Sequence, residues 1–268
     1  MQSSSRPGAA GAPANNVDGL PQPGLRRRFR RRLLGWYRRN GRDLPWRNTK
    51  DPYHILVSEM MLQQTQVDRV LPKYEEWLRK YPSLEALAAA RPGDVGRTWR
   101  PLGYNARPKR LHAIAREVVA RYDAKLPSDE QTLRSFKGIG AYTAGAVQSF
   151  AFGRRAPIVD TNVARVLSRV FGNGQRGRPD GNDDDDGHGG RCSQGDNAAA
   201  TKKRLWALSE ALLPRRDVFD FNQALMDLGA VVCVARRPRC VVCPMRPICQ
   251  TYPFNPASPN GTGGKEGT

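Results

Sequence analysis

Four cysteines near the end of the chain constrain it more than any other feature. Cys233, Cys240, Cys243 and Cys249 stand in the spacing C-x6-C-x2-C-x5-C. Four thiolates this close together can wrap one compact metal centre, and cysteines rarely cluster so without a metal. Zinc sites usually offer two tight pairs, and here only Cys240 and Cys243 form one. Single cysteines at longer spacing on either side suit a cubane iron–sulfur (4Fe-4S) cluster, whose corners lie farther apart than the ligands of one zinc ion. Arg236, Arg237 and Arg239 crowd the loop between the first two ligands. A loop pinned by a cluster and studded with arginine can contact phosphate. Cys192 stands apart and reads as an unligated, exposed thiol. Five cysteines without an apolar signal segment argue against a disulfide framework.

The charge balance points the same way. Lys and Arg number 44 against 25 Asp and Glu, a net +19 over 268 residues. A chain this basic binds polyanions, with nucleic acid as the default partner, although arginine-rich solvated surface gives the same total. No apolar run approaches the ~20 residues of a membrane span, so no membrane partner is expected. The N-terminus lacks the apolar core of a secretory signal; it reads as a disordered tail, with only the Ser and Arg content of a transit peptide. A cytoplasmic, nucleoid-associated monomer is the expectation, with organelle targeting left open.

Along the chain, the periodicity predicts an all-α protein. Residues 1–24 and 253–268 read as disordered tails. From Leu25 the sequence LRRRFRRRLLGWYRRN places Leu25, Phe29, Leu33 and Trp36 at helical spacing. Its arginines are either a solvated face or phosphate contacts. Asp51 and Pro52 read as the N-cap and first residue of a helix carrying YHILVSEMML. Further helices are expected near 65–79, 83–89, 93–101, 107–122, 129–136, 141–151, 160–171, 202–213 and 218–230. Ser128 with Gln131 reads as a capping box. Residues 172–200 are rich in Gly, Asp and Asn and read as a flexible insertion. Its Asp183–Asp186 run beside His188 reads as a solvated acidic linker.

Two further features carry chemistry. FKGIGAYTAGA (136–146) reads as helix, hairpin, helix. Gly138 and Gly140 let the backbone approach a ligand, and the following helix N-terminus offers amides to an anion such as a DNA phosphate. The second feature is a pair of carboxylates. Glu59 sits among Leu56, Val57, Met60 and Met61, where burial would raise its pKa and keep a usable proton. Otherwise it is a surface residue on an amphipathic helix. Asp160, in APIVDTNVARV, stands where a helix begins, and N-capping and catalysis can coexist there.

Together these residues resemble the helix-hairpin-helix DNA glycosylases with a Gly/Pro…Asp loop and an iron–sulfur cluster, and within them the adenine-excising branch. The resemblance runs from about Leu25 to Tyr252. It rests on LPWR (44–47), DPYHILVSEMMLQQTQV (51–67), LGY (102–104), KGIGAYTAGA (137–146), VDTNVARVLSR (159–169), FNQALMDLGAVVC (221–233) and the cysteines. It implies two helical lobes with a DNA cleft between them. Residues 48–153 would form the helical barrel with the hairpin, and 25–47 plus 154–252 the cluster lobe. The partner would be double-stranded DNA holding a mismatch or oxidised base, and the reaction removal of adenine opposite 8-oxoguanine or guanine. Glu59 would be the general acid and Asp160 the charged carboxylate that stabilises the sugar cation. Asn162 would orient Asp160, and Tyr142 would position Glu59 or its water. Arg47, Gln64, Leu102, Tyr104, Lys137, Gly138 and Gly140 would meet DNA, with Gln64 and Tyr104 entering the stack vacated by the flipped base.

Position 142 also bears on reaction class. Glycosylase-lyases similar to endonuclease III carry a Schiff-base lysine there, whereas this chain has tyrosine, which implies a monofunctional enzyme. The sequence departs from the pattern in three places: Tyr104-Asn105 for a tyrosine pair, FKGIG for LPGVG and VDTN for VDGN. None of them removes a proposed catalytic group. No segment after Cys249 reads as the domain that recognises 8-oxoguanine in the family. A thymine glycosylase for T:G or U:G mismatches shares the layout, and a non-catalytic iron–sulfur DNA-binding regulator would need the cluster, hairpin and charge but neither carboxylate.

Overall fold

The computed structural model describes residues 20–104, 106–172 and 194–254. Among these, every regular element is helical. By contacts the chain divides into two units. One holds residues 40–104, 106–160 and 213–223; the other holds 20–39, 161–172, 194–212 and 224–254. Sequence reasoning grouped 40–47, 154–160 and 213–223 with the cysteines. Their contacts instead lie in the first unit, so Glu59 and Asp160 belong to the same unit.

In the first unit, α2 (Pro52–Leu62) explains much of the site. It starts at Asp51, whose carboxylate accepts from the amides of Tyr53 (2.8 Å) and His54 (3.3 Å). Eight of its residues, Tyr53 and Ile55 to Met61, are buried. A helix apolar all round has no solvent face and becomes a central element. It packs against α3 (Val67–Lys80) and α8 (Ala141–Phe150), while α6 (Ala106–Arg121) packs on α4 (Leu84–Ala89) and α5 (Pro92–Trp99). Trp77 and Trp99 meet edge-on at 5.2 Å in this core.

The expected capping box at α7 (Glu130–Ser135) does not form. The N-cap is Asp129, whose carboxylate accepts from the Thr132 amide at 2.8 Å. The Ser128 hydroxyl instead accepts from Arg154 at 2.6 Å. Asp and Ser are both strong N-caps, and here the aspartate beside the first helical residue takes the position.

In the second unit, α1 (Pro23–Asn40) buries Leu25, Phe29, Leu33 and Trp36, the stripe the spacing predicts. Two of its arginines have structural duties. Arg30 donates to the carbonyls of Leu212 (2.7 Å) and Ala211 (3.0 Å), capping α10 (Gln194–Leu212). Arg32 reaches the Pro244 carbonyl at 3.4 Å. Helix α10 begins inside the stretch expected to be flexible. The rest of that insertion, with Asp183–Asp186, His188 and Cys192, lies outside the described residues, as do most of both tails. Helix α9 (Thr161–Phe171) packs on α10 and on the wide turn Leu228–Val232 that follows α11 (Val218–Asp227).

Candidate active site and cysteine centre

Glu59 is 3% exposed, because α2 has no wet side on which to place it. Burial raises its carboxyl to about 7, and the negative charge of Asp160 pushes the same way. A hydrogen bond with Tyr142 and the charge of Arg47 pull against that rise. Three groups of the first unit therefore act on the Glu59 proton. Tyr142, in the first turn of α8, is held far above the ordinary phenol range, by burial first and then by the two carboxylates. It stays a neutral donor.

Local packing explains how Asp160 reaches this environment. The segment before it runs against α8 at Gly145, where a Cβ would collide with the Pro157 carbonyl oxygen. Any side chain there would push residues 157–160 off the helix. Asn222, fully buried on α11, ties the same segment down by donating to Ser149 Oγ at 2.9 Å and to the Ala156 carbonyl at 3.0 Å. Its place in FNQALMDLGAVVC marked it, but not its duty.

Of the residues expected to meet DNA, Gln64 and Tyr104 line one recess with Gln63, Ala106, Arg107 and Arg110. Tyr104 is 60% exposed. Both residues adopt left-handed backbone, with φ of 57° and 51°. Leu102 is a correction: it is 3% exposed and belongs to the core, leaving its side chain unavailable to DNA. Lys137 and Gly140 are exposed at the hairpin. Gly138 has a φ of 109°, a conformation in which a side chain would be strained and would meet Arg110 at 2.8 Å. Arg47 lies in the turn Pro45–Arg47, where its charge acts on Glu59. Arg236, Arg237 and Arg239 are exposed.

Sequence reasoning missed Arg107. It is buried, and its guanidinium reaches both loops of the Gln64/Tyr104 recess. It donates to the carbonyls of Met60 (3.0 Å), Met61 (2.9 Å) and Gln63 (2.5 Å), which close the end of α2, and to Thr65 Oγ1 at 3.1 Å. It also reaches the carbonyls of Leu102 (3.3 Å) and Gly103 (3.4 Å). Its plane lies 5.1 Å from the Tyr104 ring and 5.4 Å from that of Trp99. The last carbonyls of a helix have no partner within it, and here one side chain supplies several. Arg107→Met should cost about 3 kcal/mol in urea unfolding, because those carbonyls stay buried without a donor. Arg107→Lys should recover only part, since a point charge cannot span both loops. A loss below ~1 kcal/mol for Arg107→Met would show that the loops hold their shape without it.

In the second unit, Cys233, Cys240, Cys243 and Cys249 line a single recess with Arg169, Val232, Met245 and Phe254 among their neighbours. Helix α9 clamps both ends of the segment. Arg165 donates to the Cys233 carbonyl, the Gly229 carbonyl and Asn162 Oδ1, each at 2.7 Å. Arg169 donates to Val234 and Ala235 carbonyls at 2.7 Å and approaches Cys233 Sγ at 3.6 Å. The Arg169 carbonyl accepts from Thr251 Oγ1 at 2.7 Å and from Cys249 Sγ at 3.4 Å. Asn162 thus lies half-buried in the first turn of α9, bonded to Arg165. Among the described residues, no three His, Cys, Asp or Glu side chains converge on one ion position. Burial raises the thiols of Cys240 and Cys249 and pushes Cys243 up to about 11.

Comparison with known proteins bears on this arrangement. Residues 57–181 match the HhH-GPD superfamily of base excision DNA repair proteins. The adenine DNA glycosylase of Mycobacterium tuberculosis is 42% identical over 231 residues, covering 84% of this chain and 69% of that protein. The chain belongs to the HhH-GPD superfamily of base excision DNA repair proteins. The thymine-DNA glycosylase of Aeropyrum pernix is 36% identical over 229 residues, covering 84% of this chain and 94% of that protein. A solved structure of a thermostable thymine-DNA glycosylase superposes with a TM-score of 0.72 at 31% identity, covering 86% of this chain and 97% of the other. The superfamily match spans both carboxylates, Tyr142 and the hairpin.

Proposed function

We propose that this chain is a monofunctional base-excision glycosylase that removes adenine from mispairs in duplex DNA, opposite 8-oxoguanine or guanine. The observation that carries the reading is the buried Glu59 carboxyl, poised at about 7 beside Tyr142 and a second carboxylate. A purine leaves its sugar readily once a ring nitrogen takes a proton, and Glu59 supplies it. Electrons of the glycosidic bond move onto the departing base, and the sugar develops positive charge. Asp160 opposes that charge. Ionised Glu59 then takes a proton from the attacking water and is restored. Tyr142 holds the Glu59 carboxyl throughout, and Asn162 orients Asp160. Gln64 and Tyr104 fill the vacated stack, and Lys137 with the hairpin amides meets phosphate.

The four cysteines are assigned to a 4Fe-4S cluster. Bound there, it pins the segment that displays Arg236, Arg237 and Arg239 to DNA. Coverage of almost the whole thymine-DNA glycosylase of Aeropyrum pernix favours a second reading, thymine excision at T:G. Higher identity to the adenine DNA glycosylase of Mycobacterium tuberculosis and the acid at Glu59 favour adenine. Single-turnover excision over A:8-oxoguanine, A:G, T:G and U:G duplexes decides. Cleavage of T:G alone would replace adenine with thymine, and tight binding without excision of any base would leave a regulator.

Reaction class has its own test. Tyr142→Lys should introduce strand cleavage at the abasic product, since an amine there can form an imine with the sugar carbon. The wild type should give breaks only after alkali or heat. Borohydride trapping of the wild type on DNA would refute the monofunctional assignment.

A further inference from the structure

A second cationic site lies in the first unit, between α5 and α6. Gly93, Gly96, Arg97 and Arg100 recur at i, i+3, i+4 and i+7, as do Lys109, His112, Ala113 and Arg116, and all eight line one groove. Each stripe is one helix face. Arg97 is paired with Asp94 on its own helix. Among the described residues, Arg100, Lys109 and Arg116 have no acidic partner, and all three are exposed. Two glycines on the α5 side keep the groove open, and a Cβ at Gly96 would meet nothing within 4 Å.

The second observation is His112. It is 7% exposed, lines the groove, and its Nε2 is buried without a hydrogen-bond partner. A buried ring nitrogen left unpaired destabilises the fold around it. Three free cations along an open glycine wall suit phosphate oxygens, which accept from each of them. From Gly93 to Arg100 the wall runs ~10 Å at 1.5 Å per residue, long enough for more than one phosphate group.

We propose that the α5–α6 groove is a phosphate-binding site, separate from the hairpin and from the Gln64/Tyr104 recess. It takes phosphate esters, either in a nucleic-acid backbone or in a free nucleotide. The site does not depend on which base the chain excises.

The test uses the full chain and follows the ring signals of His112 by NMR, assigned through His112→Gln. Inorganic pyrophosphate should shift them saturably and leave those of His54 in place. Gly96→Glu, which puts a negative charge in the groove without touching a basic residue, should weaken that binding at least ~10-fold, the effect of losing a charge-assisted contact. Lys109→Gln/Arg116→Gln should do the same. An undamaged duplex separates the sources. If it also shifts His112, and the double variant lowers the slope of log affinity against log salt by about two, the groove holds backbone phosphate. If pyrophosphate shifts His112 and duplex does not, the ligand is a free phosphate ester. No shift with pyrophosphate, or an equal shift in Gly96→Glu, overturns the proposal.

Discussion

Glu59→Gln should lower single-turnover excision by at least ~100-fold, the lower range for losing a positioned proton donor, and should also make the protein more stable above neutral pH. Both effects come from one cause. Burial raises the Glu59 carboxyl from 4.5 to about 7, so the folded protein holds this proton more tightly than the unfolded chain does. Stability from this group is fully present at acid pH. It is lost as pH rises from about 4.5 through about 7. Above that window the buried charge costs about 3 kcal/mol, the free-energy equivalent of the shift. The neutral amide of Glu59→Gln carries no such penalty. The melting temperature of Glu59→Gln relative to wild type should therefore climb between about pH 5 and pH 8, and parallel profiles would show that Glu59 is not the group under strain. Wild-type excision should fall about tenfold per pH unit above ~7, as the acid loses its proton. Asp160→Asn should also lose at least ~100-fold, by removing the charge that opposes the sugar cation. Both variants should still bind mismatched duplex, since phosphate contacts supply most of the affinity.

That trade is visible in how α2 is built. A helix buried on eight of its positions is the strongest available means of keeping a carboxyl protonated, and the same burial stabilises the core around it. Stability is given up at one position, where activity requires it. Tyr142 and Arg47 limit the rise, which keeps the acid near neutral pH, where it can both give and regain its proton.

Much of this was legible in the residues. The apolar run on both sides of Glu59 announced a helix without a wet face, and Asp51-Pro52 marked its start. The stripe Leu25, Phe29, Leu33, Trp36 marked the inward face of α1. What stayed hidden was tertiary. Arg107 looks like one more arginine on a basic helix until the end of α2 arrives beside it with unpaired carbonyls. Leu102 resembled a DNA contact by its neighbours in sequence, whereas its side chain packs inward. Ser128 and Asp129 are both good caps; the structure uses Asp129, while the Ser128 hydroxyl accepts from Arg154, 26 residues away, a partner that local sequence does not announce. The Gly- and Asp-rich composition before Ala198 masked a helix start that a run of three alanines favours.

Cys240→Ser should remove the iron and destabilise the segment that follows α11. Residues 233–254 contain only short 3-10 turns, Cys240–Val242 and Arg246–Ile248, and one of the two buries no residue. Val241 and Val242 are 80% and 65% exposed. Apolar burial between the cysteines is limited to Met245 and Ile248, so the segment depends also on what clips it. From the protein side the clips are Arg165, Arg169 and the C-terminal carbonyls of α9, which fix its two ends, and Arg32 of α1, which reaches Pro244 between them. The proposed cluster, joining all four sulfurs, would close that middle, and its binding free energy would become folding free energy for the segment. Wild-type protein purified anaerobically should be brown, absorb at about 400 nm and carry about four irons per chain. Cys240→Ser should lose the colour, and protease should cut between 233 and 254 before it cuts α2 or α8. Cys192→Ser should keep both colour and resistance. A colourless wild type holding one zinc would sink the cluster assignment. A bleached Cys240→Ser that resists protease as well as wild type would show that protein contacts alone hold the segment.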